Sequence, residues 1–233
     1  MFRLLHLNNV PILEQLRIEE ALLRASEDNW CLLNTGSPPA IVMGISGKPE
    51  KLLDLTRVSQ ENVPVIKRFS GGGTVYIDTH TVFVTLICNS STFDIPLQPK
   101  PILKWSESFY QPLFKGFSLR ENDYVFGDKK FGGNAQYIQK SRWLLHTSFL
   151  WDYTPENMRC LLLPEKRPTY RGERSHEDFL CTLRSYYPTK NALLEAFSKH
   201  FQNHLSVQTV TLEEAHSILQ RPHRTATALI NGK

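Results

Sequence analysis

Apolar residues recur at helical spacing in four stretches of the chain. Between Asn9, read as an N-cap, and residue 25, the positions Ile12, Leu13, Leu16, Glu19, Leu22 and Leu23 form one face, with Pro11 in the first turn. Residues 102–114 read as an amphipathic helix. Leu193, Leu194, Phe197 and Phe201 make a further stripe after Thr189, and residues 212–219 another. Residues 49–62 read as a short helix and turn. Short β-prone runs lie at 30–34, 40–44, 65–68, 74–76 and 81–88, and again at 124–126, 130–138 and 144–150. Strands in short-turn succession with irregularly interspersed helices predict an α+β fold, with a mixed, largely antiparallel sheet and flanking helices. Residues 164–188, rich in Arg, Glu, Pro and Tyr, read as a loop that wraps the core or meets a partner. No boundary is visible, so residues 1–233 are read as one domain without a separate accessory domain.

Composition narrows the function classes. The chain has 233 residues, a net charge of +4, 41% hydrophobic and 21% charged residues, which fits a folded protein rather than a disordered one. No apolar run reaches the ~18 residues of a membrane span, and the small, evenly spread charge argues against a nucleic-acid partner. The expectation is a soluble intracellular protein. Cys31, Cys88, Cys160 and Cys181 are far apart, with no paired spacing and no neighbouring His at metal-ligand distance. They read as free thiols in a reducing compartment, and no metal site is expected. The first ten residues read as a lightly charged turn, too short for a transit peptide.

Three segments carry candidate chemistry. In the first, Arg68, Phe69, Ser70, Gly71, Gly72, Gly73, Thr74, Val75 and Tyr76 run from one strand into another. Three glycines in an ordered loop cost about 0.5–1 kcal/mol each relative to Ala, and they let backbone N–H groups approach an anion. Arg68 sits where a guanidinium could pair with phosphate; a glycine-rich hairpin with a solvated Arg is the equal alternative. In the second segment, Lys130 enters a strand just before Gly132, Gly133, Asn134, Ala135 and Gln136. It could point an ammonium into a cavity, whereas Lys129 reads as an exposed turn lysine. Strand alternation puts Asn134 and Gln136 on one side. In the third, His146 stands in an apolar strand before Thr147, more in the manner of a structural His than of a catalyst. Asp78 and His80 read as turn residues.

In their order and spacing these segments resemble the lipoate–protein ligase A and lipoyl/octanoyl transferase family, within the biotin/lipoate ligase superfamily. The first matches the family's Arg-x-Ser-Gly-Gly-Gly strand-loop, through Ile77 to Asp78; the second matches its lysine motif as Lys130-Phe131-Gly132-Gly133-Asn134-Ala135-Gln136; the third is His146-Thr147-Ser148-Phe149-Leu150. The resemblance covers about residues 10–150, which the family reading takes as its catalytic core. It implies a lipoyl or octanoyl group carried as an acyl adenylate, made from ATP with Mg2+ or received as lipoyl-AMP. It implies binding through Arg68, residues 70–76, Asn134 and Ala135, with Lys130 as the catalytic residue on the acyl carbonyl and bridging oxygen. The acceptor implied is a lysine on the lipoyl domain of a 2-oxoacid dehydrogenase E2 subunit or on glycine-cleavage H protein. In a eukaryote the family works in mitochondria; otherwise the expectation is the cytoplasm.

The chain departs from the family where its ligases carry Gly-Arg-x-Gln-Asn-Pro. Here the stretch is Gly44-Ile45-Ser46-Gly47-Lys48-Pro49, so an apolar Ile45 replaces a phosphate-binding Arg, with Lys48 as a candidate substitute. The family's His-Gly is His146-Thr147, and both stay on the list of site candidates. These changes fit a transferase that receives an acyl carrier thioester or preformed adenylate, the latter from a separate adenylating partner, or a diverged ligase. Two alternatives stay open: a cysteine-dependent octanoyltransferase using Cys160 or Cys181 on an octanoyl carrier protein, and a non-catalytic lipoyl-domain binder.

Overall fold

The computed structural model describes residues 1–230. In chain order the elements are β1 (Phe2–Leu7), α1 (Ile12–Ala25), β2 (Asn29–Asn34), β3 (Ala40–Met43), α2 (Pro49–Leu52), α3 (Leu55–Gln60), β4 (Val65–Lys67), β5 (Val75–Ile77) and β6 (Thr81–Asn89). They continue with α4 (Pro99–Tyr110), β7 (Phe117–Arg120), β8 (Asp123–Phe126), β9 (Lys129–Gln139), β10 (Arg142–Leu150), α5 (His176–Phe179), α6 (Lys190–His204), β11 (Val207–Val210), α7 (Leu212–Leu219) and β12 (Ala228–Leu229). Eight strands form one sheet in the order β11-β1-β2-β6-β10-β9-β8-β7, and four form a smaller one, β12-β4-β3-β5. Pairings β11·β1, β1·β2 and β3·β4 are parallel and the rest antiparallel. The predicted α+β class with a mixed, mainly antiparallel sheet is what forms. No helix among the described residues is long and apolar enough to cross a membrane.

The large sheet is covered on both faces, which is why β6 has almost no polar alternation. Val82, Val84, Leu86 and Cys88 turn toward α4 and α6, where they meet Ile102, Leu103, Tyr110, Phe197 and Phe201. On the opposite face Leu32, Ile87 and Leu144 pack under Ile18, Leu22 and Leu23 of α1 and Ala215 and Ile218 of α7. The same double covering explains β1, where the sequence reads as a turn. Phe2 and Leu4 join one core and Leu5 and Leu7 the other, and the partners are β2 and the remote β11.

The expected Asn9 cap is not used. Asn9 has φ +53°, and α1 begins after Pro11 with the Ile12 N–H donating to Ser37 Oγ at 3.0 Å. The small sheet packs on α1 through Ala40, Val42, Ile66 and Ile77. Its edge is closed by β12, which antiparallel-pairs with β4. Buried Glu20 fastens that segment by accepting the Ala226 and Thr227 N–H groups.

His200 of α6 is buried against the Phe109 ring, 4.5 Å between centroids, and its Nε2 has no partner. Burial, with His204 beside it, pushes its pKa down to about 4, and burial does the same for His176. The unfolded chain takes up these protons first, near the ordinary value of 6.5, so folding is weakened below it. The contribution of these two histidines to stability should therefore be lost as pH drops from about 6.5 to about 4. Urea titrations across this range should show a shallower fall for His200→Gln; an unchanged slope would contradict the assignment.

Candidate active site

The candidate site lies between β5 of the small sheet and β9–β10 of the large one, on the α1 side. A narrow cavity of about 70 Å³ is lined there by Thr74 to Ile77, Lys130, Gly133 and Ser148, with residues 158–180 as its outer wall. From residue 164 on, that wall belongs to the segment 164–188 read as a loop. It is tied down by a bridge from Leu180 to Lys130 and by the Cys181 N–H donating to the Lys130 carbonyl at 2.8 Å.

Lys130 reaches the cavity because β9 is bulged. Gly132 pairs with Tyr124 and Lys130 with Val125, so two steps on β9 oppose one on β8 and Phe131 is the extra residue. Regular alternation would put Lys130 on the face of Gly132, whose added Cβ would meet Tyr124 and Phe149 in the core. The bulge instead turns it to the face of Gly133 and Ser148. Its ammonium lies 2.8 Å from Asp123 Oδ1, while Asp123 Oδ2 accepts the Tyr170 hydroxyl at 2.9 Å.

Gly133 makes room for this lysine. A Cβ there would sit 2.8 Å from Lys130 Nζ and 3.0 Å from its Cε. Since only the flexible end must yield, Gly133→Ala should change stability little, and should slow the acyl transfer that the family resemblance implies about 10- to 100-fold by displacing the ammonium. Parallel melting curves and initial rates would check this; an unchanged rate would mean that the position of Nζ is not critical.

The glycine loop is held from inside by Arg68. The guanidinium is buried, donating from Nε and Nη2 to the Gly71 carbonyl at 3.2 and 2.9 Å and from Nη2 to the Gly73 carbonyl at 2.9 Å. Burial lowers its pKa to about 10, opposed by nearby Glu19. The arginine expected to grip phosphate thus grips its own loop. Gly72 has φ +110°, and its added Cβ would strike Arg68 Nη2 at 2.5 Å, whereas Gly71 and Gly73 have open space. Gly44 backs the loop so closely that a Cβ would lie 2.3 Å from the Gly72 carbonyl oxygen, and the Ile45 N–H donates to the Ser70 carbonyl. Ile45 itself is 45% exposed, and Lys48 is exposed outside the cavity lining.

The remaining candidates separate by sheet face. Ala135 lies under the loop, its Cβ 3.7 Å from where a Gly72 Cβ would be. Asn134 and Gln136 do share a face, the one toward α4, where Gln136 bonds to the Pro99 carbonyl. There the Thr147 hydroxyl donates to Asn134 Oδ1 at 2.6 Å, next to the Tyr124–Ser106 hydroxyl pair. Asn134 and Thr147 therefore do not meet Lys130 in the cavity. His146 points to the cavity side of the sheet and donates from Nδ1 to Glu19 at 2.9 Å; the Thr85 hydroxyl and Gln15 amide also donate to that carboxyl, each at 2.7 Å. This acid partner is 127 residues away in sequence. Asp78 and His80 are turn residues as read, the His80 N–H donating to Asp78 Oδ1.

No cysteine lines the cavity. Cys160 is buried beside Glu61, and the two push its pKa up to about 12. Cys181, directed at the Lys129 carbonyl, is also pushed up by burial. Asp123, Tyr170, Arg171 and His176 escaped the sequence reading. The Gly127-Asp128 turn between two β-prone runs was the available signal for Asp123, because closing that hairpin sets it opposite Gly133.

Residues 11–206 match the model of the lipoyl protein ligase A/B catalytic domain. The chain belongs to this family. It is 27% identical over 230 residues to an inactive lipoate–protein ligase 2 of Plasmodium falciparum, covering 81% of this chain and 59% of that one. It is 23% identical over 195 residues to the lipoate-protein ligase LplJ of Bacillus subtilis, with 82% and 58% covered. The family member described here thus spans little more than half the length of these relatives. A lipoate-protein ligase A solved with ATP superposes with a TM-score of 0.75 at 17% identity, covering 94% of this chain and 92% of that one. A structure from an archaeal lipoylation system, described as a bipartite lipoate protein ligase and its E2 lipoyl domain from Thermoplasma acidophilum, gives 0.74 at 18% identity, covering 94% and 90%. At these identities the likeness establishes the fold.

Proposed function

We propose that the chain is an acyltransferase of the lipoate–protein ligase type, moving a lipoyl or octanoyl group from its adenylate to a lysine amine on a lipoyl domain or on glycine-cleavage H protein. The observation that carries this reading is the bulge that aims Lys130 into a cleft lined also by the strand leaving the glycine loop and by apolar side chains such as Met158, Leu161 and Phe179. The amine nitrogen attacks the acyl carbon, the bond from that carbon to the bridging phosphate oxygen breaks, AMP leaves with the electron pair, and a proton leaves the new amide. Negative charge grows on the carbonyl and bridging oxygens, and an ammonium held beside them in a partly buried cleft stabilises it. Asp123 and Gly133 hold that ammonium ready. The glycine loop, shaped by Arg68, would bound the acyl and phosphate groups. In this reading residues 1–233 act as a catalytic domain.

Making the adenylate is assigned to a partner or to preformed lipoyl-AMP. An exposed Ile45 and a remote Lys48 offer nucleotide phosphate nothing at the position where the resemblance places an arginine. Structural neighbours bound with ATP and with lipoic acid, and one from a lipoylation system described with its E2 lipoyl domain, support the substrate classes. Among the described residues no group of three or more His, Cys, Asp or Glu is placed for a metal; magnesium is treated as part of the Mg-ATP substrate.

A second reading, a lipoyl-domain binder without turnover, is favoured by the relative named inactive. Intact-mass spectrometry of an apo lipoyl domain separates the two, with lipoate plus Mg-ATP, lipoyl-AMP and octanoyl carrier protein as parallel donors. Lipoyl-AMP should add the acyl mass. Gain from ATP and lipoate would make the chain a complete ligase, gain only from the carrier protein would restore the cysteine mechanism, and no gain from any donor would favour the binder.

A further inference from the structure

We infer that Arg171 binds the phosphate of the acyl adenylate, supplying from the outer wall of the cleft the guanidinium that position 45 lacks; this rests on the acyl-transfer reading above. Arg171 is 6% exposed and lines the cavity. Its Nε donates to the Arg174 carbonyl at 3.3 Å and its guanidinium carbon stands 4.7 Å over the Phe179 ring. Nη2 is buried and has no partner. Across the same cavity, the Thr74 hydroxyl, which follows the glycine loop directly, is also buried without a partner. A buried unpaired donor costs free energy that folding tolerates rarely. Two on facing walls of one cavity point to a ligand that accepts from both.

The other cations at the site are already engaged. Arg68 is spent on the Gly71 and Gly73 carbonyls, and Lys130 is paired with Asp123. His176, the third basic side chain on the wall, is kept neutral near pH 7 by burial and by Arg171 and Lys130 beside it. Arg171 therefore holds the uncommitted charged donor, and a planar guanidinium suits a tetrahedral oxyanion with several acceptor oxygens. The carboxylate of a free acyl acid shares part of that chemistry. The phosphate is favoured because Lys130, on the opposite strand, is the group placed for the acyl carbon.

Titration calorimetry with three probes tests this on the full chain. Octanoyl-sulfamoyl-adenosine carries an anion where the adenylate phosphate stands, the octanoyl amide of 5′-amino-5′-deoxyadenosine carries none, and octanoate carries the carboxylate alone. Arg171→Gln should weaken the sulfamate about 10- to 100-fold, as expected for loss of a charge-assisted bond, and should shift the neutral amide less than about threefold on the same reasoning. Arg171→Lys keeps the charge and should recover part of the loss. It also carries the test if melting curves show that Arg171→Gln does not fold. Equal losses for charged and neutral probes would reduce Arg171 to a wall residue and overturn the inference, as would unchanged sulfamate binding. A loss confined to octanoate would move the site to the carboxylate and overturn the phosphate assignment. If the parent chain binds no probe, the acyl-transfer reading fails and takes this inference with it; if it binds and the variants bind equally, only the inference fails.

Discussion

Replacing Lys130 by alanine is expected to slow lipoyl transfer from lipoyl-AMP to a lipoyl domain about 10²- to 10³-fold, the usual cost of one preorganised charge-stabilising donor. The loss should fall on the turnover rate rather than on KM, because in the proposed step the ammonium acts on charge that develops during attack. The substitution also strands the buried Asp123 carboxyl with only the Tyr170 hydroxyl, so some loss of stability is expected alongside. Adding Asp123→Asn should restore stability and leave the rate low. Single-turnover rates by intact mass, with melting curves for each variant, would check both statements. Transfer within threefold of the parent by Lys130→Ala would remove this residue from the mechanism.

Glu19→Ala should be among the most damaging substitutions for the fold, at about 3–5 kcal/mol, the scale for breaking a buried charged network by deleting one member. Its carboxyl accepts from His146, Thr85 and Gln15, and Gln15 in turn receives the Asn34 amide at 2.8 Å. The network joins α1 to β2, β6 and β10 beneath the glycine loop, with Arg68 close enough to feel the charge. Glu19→Gln keeps the shape and most acceptor capacity and should cost well under half as much. Chemical denaturation of both variants is the measurement. A loss below 1 kcal/mol for Glu19→Ala would show that water or repacking replaces the carboxyl.

Most of the helices and many of the strands were legible in the sequence because their signals are local: a 3.6-residue stripe such as Leu193, Phe197 and Phe201, or a β-branched run such as residues 81–88. The loop from Arg68 to Tyr76 and the stretch from Lys130 to Gln136 were legible for a related reason, since their chemistry depends on adjacent residues. Strand β1 was not, because Phe2–Leu7 holds no β-branched residue and its parallel partner β11 lies 205 residues on, Phe2 opposite Val207. A separation of 127 residues likewise hid the Glu19–His146 pair.

The chain's order of residues was sufficient to specify the α+β class, the glycine loop and the lysine as a candidate, all of which follow from periodicity, glycine conformation and short motifs. Which way each candidate points depended on packing between segments remote in sequence. A one-residue bulge against β8 sent Lys130 into the cleft, and strand register sent Asn134 and Thr147 to the opposite face. Carbonyls of the loop captured Arg68, while the folding of residues 158–180 over β5 and β9 left Arg171 with an open donor. Side-chain direction in a sheet reverses with a single residue of register, and donors are assigned by whichever acceptors arrive from other elements.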